Sequence, residues 1–202
     1  ASPDDLIIGI DCPGELFDGL METARSYLSS PPWKGGEEPS EYTPRTLEGA
    51  LSVLPEADIA LISLPGRYAA AEAMKALERG LNVMLYSDNV SLEEEIELKR
   101  YASRNGLIVM GPDCGTVVIN GEGLGFSNAC PVGPVGIVSA SGTGLQEVMV
   151  QLARRGAGVK HGLGTGGRDV KSAVGGISSL IAIEALANDP EISVVVVIGK
   201  PP

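Results

Sequence analysis

The sequence predicts an α/β fold of two sequential Rossmann-like or flavodoxin-like domains, each with a parallel sheet. Short apolar runs alternate with amphipathic helical stretches along the 202 residues, and the runs are apolar on both faces. Strands of that kind are typical of parallel sheets that helices cover on both sides. Twenty-seven glycines gather where the runs end, and 44% of the residues are hydrophobic, which is sufficient for a core.

The first predicted domain comprises residues 1–130. Its best-defined helix follows Ser91, which is typical of an N-cap because three glutamates come soon after it and suit the positive end of the helix dipole. The predicted strands lie at 6–10, 59–64, 83–86 and 107–110. The predicted helices lie at 14–28, 46–54, 68–79 and from residue 91 onward, with a polar loop at 31–44.

The second predicted domain comprises residues 131–202. A shift in charge supports this boundary, because residues 1–130 carry 9 basic and 21 acidic side chains and the remainder carry 6 and 5. The last apolar run has no crossover helix after it, and the sequence does not open with methionine. We therefore expect a segment of a longer polypeptide in which the second domain is truncated. Its strands are predicted at 135–139, 159–163 and 194–198, and its helices at 143–155 and 177–187.

The composition excludes several classes of function. Fifteen basic and 26 acidic residues give a net charge of −11, which argues against nucleic-acid and anionic-membrane partners. No apolar run reaches the roughly 18–20 residues of a membrane span, and no signal peptide is visible, so we expect a cytoplasmic protein. Three cysteines without a CxxC pair and a single histidine offer almost no zinc ligands, and no metal is predicted.

Two small-residue loops at the ends of predicted strands are candidates for an anion site. In the first, the amides that open the following helix would hold a phosphate or carboxylate together with the hydroxyls of Ser139, Ser141 and Thr143. The alternative is an ordinary turn with Ser141 as the N-cap. In the second, Arg168 is either a bidentate anion donor or a partner of Asp169.

Both loops are expected to border one crevice, because the carboxyl ends of parallel strands meet at the same edge of a sheet. The residues predicted to border it are Ser141, Gly142, Thr143, Gly166, Gly167 and Arg168.

Two further features of the sequence are candidates for chemistry. The turn Gly111-Pro112-Asp113-Cys114 either links the domains or lets a substrate approach the backbone closely. No base lies near Cys114 in the sequence, so it is not expected to act as a nucleophile. His161 lies within a predicted strand and is expected to have a structural role.

Five short motifs occur together in this chain. They are Ser-Asp-Asn-Val at 87–90, Gly-Pro-Asp-Cys-Gly-Thr at 111–116, Ala-Ser-Gly-Thr-Gly at 140–144, Gly-Gly-Arg-Asp at 166–169 and Lys-Pro-Pro at 200–202. Their combination resembles the α subunit of succinyl-CoA synthetase, in the NDP-forming acyl-CoA synthetase superfamily, and most closely its FdrA-type relatives. The resemblance implies a CoA-binding-type Rossmann-like domain over 1–130 and an incomplete flavodoxin-like ligase domain over 131–202.

The resemblance also implies an activity. It implies a subunit of an acyl-CoA synthetase-like enzyme that handles an acyl phosphate, with CoA as cofactor. Its partners would be other subunits, either a β-like ligase subunit or further copies of itself. The implied phosphate site comprises Ser139, Ser141, Gly142 and Thr143, and we add Gly166, Gly167, Arg168 and Lys200. The implied acyl site comprises Gly111, Pro112, Asp113 and Cys114.

Departures from the family pattern open two alternative functions. Residues 11–15 lack a glycine-rich loop for the CoA diphosphate, and the histidine that the family phosphorylates would lie beyond residue 202. Lys200 stands where the family has a glutamate that braces this histidine. FdrA-type proteins are also associated with purine (allantoin) degradation, as a subunit of an oxamate carbamoyltransferase. In that reaction Lys200 and Arg168 would neutralise the phosphate of carbamoyl phosphate.

The other alternative is a non-catalytic binding or regulatory subunit. Under all three hypotheses, the 202 residues alone are expected to show no turnover, because no complete acid–base pair is visible among them.

Overall fold

The computed structural model describes residues 9–29 and 44–200, and the chain divides into two compact units, 1–45 and 46–202. In the first unit the structure describes one helix, α1 (Gly14–Ser29), close to the predicted bounds. The strand predicted at 6–10 and the loop predicted at 31–44 fall largely outside the described residues. The second unit holds the other helices and the strands, and the remaining description concerns this unit alone.

The first sheet of the second unit is parallel, with the order β1-β2-β3. Its central strand is apolar on both faces, since Val83, Met84 and Leu85 are completely buried, and this explains why the sequence shows no alternation there. Ser91 caps α4 in a reciprocal capping box with Glu94, so the predicted N-cap is confirmed. The elements are α2 (Leu47–Val53), β1 (Ile59–Ile62), α3 (Gly66–Glu78), β2 (Asn82–Leu85), α4 (Leu92–Arg104) and β3 (Val109–Met110).

The second sheet is mixed, with the order β5-β4-β7-β6-β8. Strands β6, β7 and β8 are parallel, as predicted, whereas β4 and β5 form an antiparallel hairpin at one edge. The α/β class is confirmed, and the hairpin is an addition to the expected all-parallel sheet. The elements are β4 (Thr116–Ile119), β5 (Glu122–Gly125), β6 (Val135–Ser139), α5 (Gly142–Arg154), β7 (Val159–Gly164), α6 (Ile177–Asn188) and β8 (Val194–Ile198).

The hairpin turn has a sequence signal that the apolar runs do not reveal. Asn120 and Gly121 connect β4 to β5, and both have positive φ values, 52° and 81°. An Asn-Gly pair between two short strands favours this turn, because both residues tolerate the left-handed conformation. The second sheet therefore begins at Thr116, ahead of the predicted boundary at 130/131. The division into domains at 130/131 stays a prediction.

The strand register fixes where the loops emerge. Ser139, the last residue of β6, pairs with Gly164 of β7 on one side and with Ile198 of β8 on the other. Because all three strands run in the same direction, the segments that follow them leave the sheet at one edge. The loops at 140–141 and 165–176, and the segment from Gly199, are neighbours at this edge.

Candidate functional site

An open cavity of about 510 Å³ lies where the carboxyl ends of strands from both sheets come together. In open α/β sheets this edge is the usual place for a ligand. The first sheet contributes side chains that follow β1, β2 and β3, and the second contributes the hairpin, the start of α5 and the segment after β8. The lining residues are Ser63, Leu64, Tyr86, Ser87, Asp88, Asp113, Gly115, Thr116, Phe126, Ser141, Gly142, Thr143, Gln146 and Lys200.

The start of α5 forms the anion-attracting wall of this cavity. Ser141 is the N-cap, and its hydroxyl accepts a hydrogen bond from the amide of Gly144 at 3.2 Å. The hydroxyls of Ser141 and Thr143 lie 3.4 Å apart, and no acidic residue occupies the first turn. The first amides of any helix have no acceptor within the helix, and they carry the positive end of its dipole. The Ser141 hydroxyl can therefore cap α5 while the remaining amides of the first turn bind an anion.

Ser139 lies behind the cavity wall rather than in it. Its side chain is completely buried, donates a hydrogen bond to the carbonyl of Ser141 at 2.7 Å and accepts one from the Ser141 amide at 3.0 Å. Of the four residues in the implied phosphate site of this turn, Ser141, Gly142 and Thr143 line the cavity. Ser139 braces the turn that presents them.

The glycine loop after β7 approaches the cavity through close backbone contacts. Gly166 has a φ of +86°, and a Cβ atom there would lie 2.6 Å from the carbonyl oxygen of Pro112. A Cβ atom on Gly167 would lie 2.9 Å from Nζ of Lys200. The loop therefore packs against the turn that follows β3, and it leaves room for the Lys200 side chain, which reaches the cavity. Neither glycine lines the cavity itself.

Arg168 points away from the cavity lining. Its Nε lies 2.8 Å from Oε2 of Glu95, and its Nη2 donates to the carbonyl of Val90 at 2.8 Å. The pairing with Asp169 considered from the sequence does not occur. Its anion-donor role stays a prediction, and Lys200 is the cationic side chain that the described residues place in the cavity lining.

A buried ion cluster, formed by Lys99, Glu95, Asp169 and Arg168, lies behind the glycine loop. The first three side chains are completely buried. The ammonium group of Lys99 lies 2.8 Å from Glu95 Oε1, 2.8 Å from Asp169 Oδ1 and 2.9 Å from the carbonyl oxygen of Thr165. Each of its three protons therefore has an acceptor. Sequence analysis did not identify this cluster, because Glu95 and Lys99 have the spacing of an exposed helical ion pair.

The turn after β3 contributes one carboxylate to the cavity. Asp113 lines it, whereas Gly111, Pro112 and Cys114 do not. The Cys114 side chain is buried, its thiol donates to the carbonyl of Gly164 at 3.2 Å, and burial raises its pKa to about 11. A buried thiol with a raised pKa is a weak nucleophile, and the role of Cys114 in the acyl site stays a prediction.

An aromatic pair forms another wall of the cavity. The rings of Tyr86 and Phe126 meet edge to face with centroids 5.5 Å apart, and Phe126 is 66% exposed. Gln146 on α5 donates to the hydroxyl of Thr116 at 2.8 Å and to the carbonyl of Phe126, which fixes the segment after the hairpin. No pattern in the sequence indicated this wall, because it depends on the hairpin placing Phe126 beside β2.

His161 is outside the cavity lining, on β7. Its Nδ1 accepts from the amide of Asn120 at 3.2 Å, and its Nε2 lies 3.3 Å from Oδ2 of Asp189. Burial, reinforced by the charge of Lys160, holds the pKa of His161 below its usual value. These contacts connect the hairpin turn to the end of α6, which is a structural role.

The described part of the chain contains neither a candidate metal site nor a candidate membrane span. Among residues 9–29 and 44–200, no group of three or more His, Cys, Asp or Glu side chains could hold a metal ion. Within the same residues, every helix is too short or too polar to cross a membrane.

Comparisons with known proteins show which chains this one is similar to. No protein-family model matches the chain. The uncharacterised protein YahF of Escherichia coli (strain K12) is 48% identical over 169 residues, which are 84% of this chain and 32% of YahF. The α subunit of the ADP-forming succinate–CoA ligase of Aquifex aeolicus (strain VF5) is 30% identical over 150 residues, which are 71% of this chain and 48% of that subunit.

A solved structure shares the fold. ATP citrate lyase from Methanothrix soehngenii, in complex with citrate and coenzyme A, aligns with a TM-score of 0.67 and 24% identity over 76% of this chain and 26% of that one. The chain thus shares the fold of the aligned part of this ATP citrate lyase and is homologous to succinate–CoA ligase α subunits. It spans about a third to a half of the length of these curated relatives.

Burial of Cys114 predicts that its thiol reacts slowly. A pKa of about 11, two units above the ordinary value, lowers the thiolate fraction near pH 8 about 100-fold. Ellman's reagent should therefore modify a protein that retains only Cys114 at least about 100-fold more slowly than one that retains only Cys12, which is partly exposed. The rate at Cys114 should rise as the pH approaches 11. Equal rates in the two single-cysteine proteins at pH 8 would contradict this assignment.

Proposed function

We propose that the chain is a subunit of an acyl-CoA synthetase-like enzyme and that its cavity holds an acyl phosphate. The observation that carries this proposal is the convergence of the α5 N-terminus, the Ser141 and Thr143 hydroxyls and the Lys200 ammonium on one cavity. Succinate–CoA ligase α subunits among the relatives support it. On the five shared motifs we also propose a finer assignment, to the FdrA-type relatives.

The wall at α5 suits the phosphate end of such a substrate. The amides of Gly142 and Thr143 and the hydroxyls of Ser141 and Thr143 can donate to phosphate oxygens, as helix N-termini commonly do. Lys200 adds a full positive charge. When the acyl–oxygen bond breaks, the electron pair stays on the phosphate oxygen. Groups that stabilise this developing charge lower the barrier to acyl transfer.

CoA would supply the thiol that accepts the acyl group, but residues at the start of α1 do not fit its diphosphate. Glu15 lies in the first turn of this helix, where a carboxylate takes the place that an anion would use. Other residues of the assembled enzyme must hold the diphosphate. Because the relatives are named as α subunits, we propose a larger assembly with a β-like subunit or further copies of itself, in the cytoplasm.

Carbamoyl transfer is the second candidate function, and the acidic wall of the cavity favours it. Asp88 and Asp113 follow β2 and β3 and face the cavity from the first sheet, whereas Lys200 and the α5 turn belong to the second. Carbamoyl phosphate carries an NH₂ group in place of the alkyl group of an ordinary acyl phosphate. Carboxylates accept hydrogen bonds from such a group and have nothing to accept from an alkyl group.

Replacement of Lys200 tests the phosphate site. Lys200→Gln should weaken binding of acetyl phosphate and of carbamoyl phosphate about 10-fold or more, because it removes a charge-assisted hydrogen bond. Isothermal titration calorimetry measures this directly. Lys171→Gln is the matched control, since Lys171 is exposed on the segment before α6 and should leave affinity unchanged. Unaltered affinity in Lys200→Gln, or no binding by the unmodified protein, would refute the site.

Replacement of the acidic residues separates the two candidates. Under carbamoyl transfer, Asp88→Asn combined with Asp113→Asn should weaken carbamoyl phosphate about 5-fold or more and leave acetyl phosphate within about twofold. Asp58→Asn, at the amino end of β1, is the control. If both ligands respond alike, the acidic wall does not select the NH₂ group. Added CoA that increases affinity for acetyl phosphate would favour the synthetase.

A further inference from the structure

We propose that Lys99 is a positioning residue for the cavity: it fixes the glycine loop after β7, and through that loop the position of Lys200. This inference rests on the proposed function for the identity of the ligand that the cavity binds. The geometry of the loop does not depend on the ligand and can be tested separately.

The ammonium group of Lys99 holds the first part of the loop, residues 165–169. It bonds to the carbonyl of Thr165, where the loop begins, and to the carboxylate of Asp169, four residues further on. Lys99 lies on α4, which connects β2 to β3 of the first sheet, and its partners Thr165 and Asp169 follow β7 of the second. A single buried group therefore fixes a loop of one sheet to a helix of the other.

The Asp169 carboxylate also accepts hydrogen bonds from the start of α6. Its Oδ2 accepts from the amide of Ser179 at 2.9 Å and from the Ser179 hydroxyl at 2.6 Å, and its Oδ1 accepts from the amide of Ser178 at 3.2 Å. Asp169 thus connects Lys99 to the first turn of α6. A carboxylate is favourable at a helix N-terminus, which reinforces the arrangement.

A displacement of the loop would move the Lys200 side chain in the cavity, because the two are in contact at Gly167. Nζ of Lys200 lies 2.9 Å from the position of a Cβ atom on this glycine, so the Lys200 side chain rests against the loop. Gly166 meanwhile packs against Pro112, one residue before Asp113 of the cavity wall. Both the cationic and the acidic walls therefore adjoin the segment that Lys99 fixes.

Stability alone does not require these charges. Apolar residues of similar volume often replace a buried ion cluster without loss of stability, because they avoid the desolvation of the ions. Directional bonds to Thr165 and Asp169 provide what apolar packing cannot, a fixed loop conformation. The formal charges of the cluster also balance: Lys99 and Arg168 are basic, and Glu95 and Asp169 are acidic. Removing the charges of Lys99 and Asp169 together therefore keeps the balance.

The test uses this balanced pair in the intact protein. Lys99→Met with Asp169→Asn avoids the unpaired carboxylate that Lys99→Met alone would leave buried. Lys160→Met is the matched control, because Lys160 also pairs with two carboxylates, Asp189 and Glu191. Amide hydrogen exchange of residues 165–176 reports the loop, and phosphorus NMR titration with inorganic phosphate reports the cavity.

In the folded double variant, relative to Asp169→Asn alone, which keeps Lys99, we expect loop amides to exchange about 10-fold faster or more, and phosphate affinity to fall about 5-fold. Lys160→Met should leave both within about twofold. Unchanged loop exchange in the double variant, or equal acceleration in the control, would overturn the assignment. If the unmodified protein binds no phosphate, the proposed function fails, and the exchange data still decide the role of Lys99.

Discussion

A buried ammonium group is the constraint on which the site depends. Lys99 is completely buried, and Glu95, Asp169 and the Thr165 carbonyl each accept one hydrogen bond from its ammonium group, which offsets the loss of water. Those acceptors come from α4 and from the loop after β7, so satisfying one charge brings the two sheets into a defined relation. The same cluster sets the position of the Arg168 side chain, because its guanidinium pairs with the second carboxylate oxygen of Glu95, on α4.

The cavity that results has two chemically distinct walls. On the second sheet, the first turn of α5 and Lys200 favour negative charge. On the first sheet, Asp88 and Asp113 favour hydrogen-bond donors. A substrate with phosphate at one end and a small acyl or carbamoyl group at the other matches this division. In the proposed function, the acidic wall is the local feature that adapts the site to a particular acyl group.

The sequence predicts the α/β order well, because buried parallel strands and capped helices leave local signals. Ser91 identifies the start of α4, and the turn before α5 identifies half of the cavity. The partners of Arg168 and Lys99 could not be predicted in this way, because Val90 and Asp169 are 78 and 70 residues distant from them along the chain. The pair Asn120 and Gly121 indicates the hairpin, but each of its strands has only four residues, and β5 (Glu-Gly-Leu-Gly) is not an apolar run.

The central claim is that the first turn of α5 binds phosphate, and selective glycine labelling with ¹⁵N tests it most directly. Titration with inorganic phosphate should produce saturable shifts of the Gly142 and Gly144 amides. Gly80 and Gly106, which precede the amino ends of β2 and β3, should not respond. The same titration in Lys200→Gln should require more phosphate for half-saturation. Shifts spread equally over all four glycines, or none at Gly142, would contradict the account.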